Sequence, residues 1–243
     1  MAGVRFAGIQ PTSLIDFPDQ IATVLFTAGC NLRCPYCHNH ELIEADQENY
    51  YSEDEILEIL EERLDFIDGV SITGGEPLLQ TGLKDFIARV RELDLLVKLD
   101  TNGMLPDRLE ELVEAGLVDL VAWDYKLPAA RYDELGGPGG LDNARRRLIR
   151  TGNILSEARD RGELEVEVRT TVVPELISHQ DIEVIARELA ERSFDRYVIQ
   201  NFRPEEVLVD YFSKISPFSH EVLQEFKVIA EKYIEEVKIR DNI

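Results

Sequence analysis

Cysteine is scarce in this 243-residue chain: Cys30, Cys34 and Cys37 lie within eight residues, and no other position carries one. An odd number cannot close a disulfide framework, so a reducing compartment is expected. Positive charge is short as well, with 26 Lys and Arg against 48 Asp and Glu and a net charge of −22. So acidic a balance argues against a general nucleic-acid binder or a protein held on anionic lipid. Lysine is scarcer than arginine, 7 against 19. Two readings of this stay open: an ordinary acidic protein, or a host with a salty cytoplasm that screens surface repulsion. No apolar run reaches the roughly 18–20 residues needed to span a bilayer. The segment MAGVRFAGIQPTSLIDFP has no signal-type apolar core, so a cytoplasmic location and no membrane partner are expected. Low-complexity linkers are absent too, which leaves one domain over residues 1–243 as the expectation.

What is present is a strand–helix alternation. Ile21–Thr27, Gly69–Thr73, Leu95–Asp100, Val118–Lys126, Leu164–Val173 and Tyr197–Asn201 are short β-branched apolar runs that read as buried strands. Between them, helices are expected at Ser52 onward, Leu79–Leu93, Pro106 to about Gly116, Leu141–Arg161 and Ile177–Arg192, with a last one at His220–Glu235. Ser52 with Glu55 three residues on reads as a capping box, with Ile56, Leu57, Leu60 and Leu64 as the apolar stripe. Six βα units (21–201) imply an α/β fold with parallel strands, too few for a full eight-fold barrel. Residues 1–20 are expected to form an edge hairpin, 202–243 the last helix with a terminal strand at Val237–Arg240, and Pro128–Gly140 a flexible excursion.

Cys30-x3-Cys34-x2-Cys37 leaves the first strand directly. Thiolates suit zinc or iron–sulfur centres. Zinc wants a fourth ligand, which His38 or His40 could supply, whereas three cysteines on a cubane leave one iron open. The run Thr27-Ala28-Gly29-Cys30-Asn31-Leu32-Arg33-Cys34-Pro35-Tyr36-Cys37-His38-Asn39 resembles the signature loop of radical S-adenosylmethionine (SAM) enzymes. Together with Ser13-Leu14-Ile15-Asp16-Phe17-Pro18 and Gly74-Gly75-Glu76-Pro77, the chain resembles the glycyl-radical-enzyme activases. Within these it is most similar to the anaerobic ribonucleoside-triphosphate reductase activating proteins, kin of pyruvate formate-lyase activating enzyme. One departure is Asp19, where that family often has glycine.

The resemblance implies an open partial (β/α)6 barrel of radical SAM type. It implies a [4Fe-4S] cluster on Cys30, Cys34 and Cys37, with His38 and His40 as bystanders. It also implies SAM held by Gly74, Gly75, Glu76, Asn102, Lys126 and Arg169, and a monovalent cation, Na⁺ or K⁺, at Asp100, Thr101 and Asp124. Independently of resemblance, the cysteine loop, Gly74–Pro77, Asp100–Gly103, Asp124 with Lys126, Arg169 and Gln200-Asn201 all lie at or near the carboxyl ends of expected strands, where parallel α/β folds gather their chemistry. Period two along strand four turns Asp124 and Lys126 to one face, with Trp123 and Tyr125 on the other.

The implied activity is reductive cleavage of SAM followed by removal of a hydrogen atom from a glycine of a partner protein, the anaerobic (class III) ribonucleotide reductase. Flavodoxin or ferredoxin is the implied electron donor. Three alternatives stay open. They are activation of a pyruvate formate-lyase-type enzyme, radical SAM chemistry on a small molecule such as that of a 7-carboxy-7-deazaguanine synthase, and a non-catalytic Fe–S or zinc binding protein. Arg145, Arg146, Arg147 and Arg150 read as a solvated helix face or as a dock for an acidic partner.

Overall fold

The computed structural model describes residues 3–44, 50–136 and 144–241. Eight strands follow one another through a single sheet in chain order. They are β1 (Phe6–Ser13), β2 (Ala22–Thr27), β3 (Gly69–Gly74), β4 (Leu96–Thr101), β5 (Leu120–Asp124), β6 (Glu165–Val172), β7 (Arg196–Asn201) and β8 (Val237–Arg240). The helices are α1 (Glu53–Glu61), α2 (Leu83–Arg91), α3 (Pro106–Glu114), α4 (Ala144–Asp160), α5 (His179–Leu189) and α6 (His220–Ala230). The sheet is the expected α/β arrangement; residues 1–20, expected as an edge hairpin, supply the single edge strand β1, and Val237–Arg240 is the strand β8 at the other end.

The chain divides into two compact units. The first comprises residues 1–31, 39–101 and 107–121. In it β1 runs antiparallel to β2, and β2, β3 and β4 are parallel, with Thr27 opposite Gly74 and Ile72 opposite Leu99. Its core includes Phe6, Leu25, Ile56, Leu60, Ile72 and Phe86, all with no exposed surface. The Phe6 and Phe86 rings sit 4.7 Å apart. Each such side chain removed from water contributes roughly 1.5–3 kcal/mol before conformational entropy is subtracted. The second unit comprises residues 32–38, 102–106 and 122–243. Here β6, β7 and β8 are parallel, with Arg169 opposite Val198 and Val198 opposite Lys238. Trp123, Tyr132, Tyr197 and Phe226 fill its core.

Local signals explain most element ends. Ser52 caps α1: its hydroxyl accepts the Glu55 amide while the Glu55 carboxylate accepts the Ser52 amide, the reciprocal box expected. Ser178 and Asp181 repeat the device on α5. Two helix expectations need correction. Leu64 lies beyond α1, which ends at Glu61, and is exposed rather than part of the stripe. The helix expected from Leu79 starts at Leu83, because Pro77–Leu79 forms a separate 3-10 turn and Gly82 precedes the α-helix. Asp19 adopts φ +60°, the left-handed region that glycine enters without penalty, so the glycine that the resemblance implies would suit this position. The Gly137–Gly140 stretch and the first residues of the helix expected from Leu141 lie outside the described residues.

Candidate functional site

In the first unit, the entrance to the cysteine loop and the Gly-Gly-Glu segment are built against each other. Gly29 N–H donates to Leu42 O at 2.6 Å and Cys30 N–H to Ile43 O at 3.3 Å. Gly75 N–H donates to Thr27 O at 2.9 Å, and Glu76 N–H to Gly29 O at 2.8 Å. A Cβ on Gly75 would stand 2.0 Å from Gly29 O, and one on Gly74, whose φ is +109°, 2.4 Å from Thr27 N. The two glycines are therefore demanded by backbone packed on backbone, a reason the sequence alone does not reveal. Glu76 is buried, and its Oε1 accepts from Thr101 Oγ1 at 2.8 Å and from Leu78 N–H at 3.2 Å. The two donors fix this carboxyl in place inside the protein.

Asp100, on β4, faces the ammonium of Lys98 two residues earlier. Lys98 is 2% exposed, and its Nζ also lies 3.4 Å from Ser71 Oγ on β3. Sequence reasoning missed Lys98. The usable signal was an opposite charge at i, i+2 inside a buried strand, which puts both groups on one face.

In the second unit, Asp124, Lys126 and Arg169 form one cluster. Arg169 Nε donates to Asp124 Oδ1 at 2.8 Å and Lys126 Nζ to Asp124 Oδ2 at 3.3 Å. Tyr125 N–H donates to Arg169 O at 2.8 Å, and Thr170 Oγ1 to Tyr125 O at 2.6 Å, locking the end of β5 to β6. Burial alone would raise the Asp124 pKa. The Arg169 guanidinium and Lys126 ammonium outweigh it and hold the carboxyl far below its ordinary range. Burial acts the other way on Lys126, and Asp124 overcomes it, so the amine stays charged.

The opposite face of β5 is buried as expected. Trp123 packs edge-on to Tyr125, and Tyr125 Oη donates to Glu188 on α5 at 2.8 Å. Asn102 Oδ1 accepts Met104 N–H at 3.0 Å, forming the turn after β4. Gly103 there adopts φ +74° against the Trp123 indole, and Thr151 of α4 donates to Gly103 O at 2.7 Å.

The three thiols form no disulfide; Cys34 is buried, Cys30 and Cys37 are half-buried. Cys37 N–H donates to Cys34 O at 3.0 Å, and the 208–209 backbone holds the loop through Leu208 N–H to Cys37 O and Val209 N–H to Pro35 O. Tyr36 Oη is buried and meets no hydrogen-bond partner among the described residues. Burial, then Cys34, raise its pKa well above the ordinary phenol value, so it is a neutral donor. Exposed His38 stacks on Phe202. Three soft donors within eight residues of sequence, with an orphaned phenol donor on Tyr36 between two of them, are the donor set that suits an iron–sulfur cluster. Among the described residues no three His, Cys, Asp or Glu side chains converge on a single ion. The oxygens expected to cradle a monovalent cation are engaged within the chain: Asp100 by Lys98, Thr101 by Glu76, and Asp124 by Arg169 and Lys126.

The Cys30-x3-Cys34-x2-Cys37 run directly after a strand of a parallel α/β sheet defines a class, and the comparisons name it. Residues 24–153 match the radical SAM superfamily. The chain belongs to that superfamily and is a radical SAM enzyme. It is 34% identical over 236 residues to a Methanocaldococcus jannaschii protein with the provisional name glycyl-radical enzyme activating enzyme, covering 96% of this chain and 95% of that one. It is 32% identical over 170 residues to a Halobacterium salinarum protein provisionally named GTP 3′,8-cyclase, covering 64% of this chain and 45% of that one. Among solved structures, a radical SAM methyltransferase from Sphaerobacter thermophilus superposes with TM-score 0.69 at 14% identity, covering 93% of this chain and 67% of that one. Streptococcus suis SuiB bound to S-adenosylmethionine does so with TM-score 0.63 at 19% identity. The match covers 88% of this chain but only 48% of SuiB. These likenesses carry the fold alone. No helix among the described residues is long and apolar enough to cross a membrane.

Proposed function

We propose that this protein is the activating enzyme of a glycyl-radical protein, the anaerobic ribonucleotide reductase fitting best. The observation that carries the reading is similarity over 96% of this chain to a relative named for activating glycyl-radical enzymes, in a chain whose only cysteines are the Cys30-x3-Cys34-x2-Cys37 run. Cys30, Cys34 and Cys37 would hold the [4Fe-4S] cluster, leaving one iron for SAM. When bound, the cluster and SAM supply one-electron cleavage of the sulfonium and removal of a hydrogen atom from a glycine.

The chain's own residues orient and shield. Lys126 and Arg169 are the cations for the SAM carboxylate, and Asp124 fixes both at 2.8–3.3 Å. Glu76 is the anion for the SAM ammonium, held in place by Thr101 and Leu78. Gly74, Gly75 and Asn102 present backbone and amide groups alongside. A flavodoxin or ferredoxin would deliver the electron.

The test is anaerobic reconstitution, reduction and addition of SAM with the candidate reductase. A glycine-centred EPR doublet on the reductase is the expected result. If 5′-deoxyadenosine forms and a competent partner shows no doublet, the activase reading falls. The 37% identity over 122 residues to a Methanopyrus kandleri 7-carboxy-7-deazaguanine synthase favours a small-molecule substrate as the second reading. Product analysis with that enzyme's substrate decides between them. Absence of any 5′-deoxyadenosine would leave only a binding protein.

A further inference from the structure

We propose that the Lys98 ammonium is the resident monovalent cation of the Asp100–Thr101 corner, so that this chain takes neither Na⁺ nor K⁺ there. Lys98 sits mid-strand on β4 between Val97 and Leu99, and all three side chains are buried. Taking an ammonium out of water is expensive unless a charge partner and hydrogen-bond acceptors replace the lost solvent. Lys98 has both: the Asp100 carboxylate, 14% exposed, and the buried Ser71 hydroxyl at 3.4 Å.

An ammonium carries the same charge as a potassium ion and is close to it in size. Placed on a carboxylate, it does the same electrostatic work. A second cation on Asp100 would stand beside the ammonium, where like charges repel strongly at reduced dielectric. The remaining oxygens do not rescue such an ion. Thr101 Oγ1, its proton given to Glu76, offers a neutral oxygen and no charge, and the Asp124 carboxylate is already answered by Arg169 and Lys126. The covalent cation has a functional advantage at this place: it cannot dissociate or exchange, so the charge balance behind the turn after β4 is independent of the salt around the protein. The Ser71 hydroxyl in turn points toward Asp16 O, at 3.5 Å, which ties the ammonium to the Ser13–Pro18 segment.

The inference rests on Asp100 and Thr101 belonging to the SAM end of the proposed site, and its test reads out without SAM turnover. Thermal unfolding of the full-length reconstituted protein is measured in NaCl, KCl and tetramethylammonium chloride at matched ionic strength, with ²³Na relaxation as a direct probe of binding. The wild type is expected to melt at the same temperature in all three and to show no saturable sodium site. Lys98→Met is expected to melt roughly 10 °C lower and to regain part of that loss in KCl but not in tetramethylammonium chloride. Saturable, selective stabilisation of the wild type by Na⁺ or K⁺ would overturn the proposal, and so would a Lys98→Met variant that is indifferent to the ion.

Should Lys98→Met fail to fold, Lys98→Met/Asp100→Asn removes both charges and is expected to fold and to ignore the ion. A double variant as unstable as the single one refutes the pairing. A protein that passes the ion tests but makes no 5′-deoxyadenosine refutes the proposed function and leaves Lys98 in its role; the reverse pattern refutes only Lys98.

Discussion

A single methyl group separates two kinds of glycine in this chain. Gly116 ends α3 with φ +62° and open space around its missing Cβ, so Gly116→Ala costs only the left-handed strain of about 1 kcal/mol. At Gly75 the added carbon meets the Gly29 carbonyl at 2.0 Å, backbone that no rotamer change can move aside. Gly75→Ala is expected to cost more, about 2–3 kcal/mol, and to lower iron incorporation because Gly29 leads straight into Cys30. Parallel denaturant melts and iron assays on the two variants check this, and equal losses would contradict it. At Asp124 the sign of the pH effect follows from its depressed pKa. Its stabilisation is complete above the unfolded carboxyl range, near pH 4, and fades only as pH falls below that toward the folded value. Asp124→Asn strands two cations and is expected to cost about 3 kcal/mol at neutral pH. Its deficit relative to wild type should be constant from about pH 8 to pH 5 and shrink in stronger acid. Urea melts across that range measure it.

At the scale of elements, the capping boxes and the strand faces were legible, and the interior charges less so. Alternation set Asp124 and Lys126 on one face and Trp123 and Tyr125 on the other, because period two is a property of the backbone, although β5 ends at Asp124 and not at the expected Lys126. The same rule applied to Leu95–Asp100 would have found Lys98, but an apolar run hides a lone lysine that reads as an interruption. Helix α2 started late because a Pro-initiated 3-10 turn intervenes, a choice that depends on how Glu76 caps it through Leu78. The box on α1 gives a direct prediction: Ser52→Ala removes the acceptor for Glu55 N–H and is expected to cost about 1 kcal/mol. That corresponds to a fall of roughly 2–4 °C in melting temperature for a chain of this size. Differential scanning calorimetry tests it, and an unchanged midpoint would mean that solvent replaces the cap fully.

For the molecule as a whole, the net charge of −22 predicts self-repulsion that salt relieves. The melting temperature is expected to rise from low salt toward molar KCl, and equally in tetramethylammonium chloride, since screening does not distinguish cations. No rise would show that the surface ion pairs, such as Arg89 with Asp54 and Arg131 with Glu134, already offset the repulsion. The site was the more legible half at this scale. Its cysteines and strand-end motifs stand in the sequence, whereas the engagement of the expected cation oxygens by Lys98, Glu76 and Arg169 is a three-dimensional fact.

Oppositely charged neighbours stand two residues apart in three places: Lys98 and Asp100 on β4, Asp124 at the end of β5 with Lys126 just beyond it, and Glu167 and Arg169 on β6. Glu167, buried, is met in turn by Arg196 and Arg240. Inside each unit these charges are answered locally, so the excess of negative charge belongs to the outside. The exterior can then gain or lose acidic residues, one substitution at a time, as a lineage moves between fresh and saline interiors. The chemistry-bearing centre need not be retuned at any step.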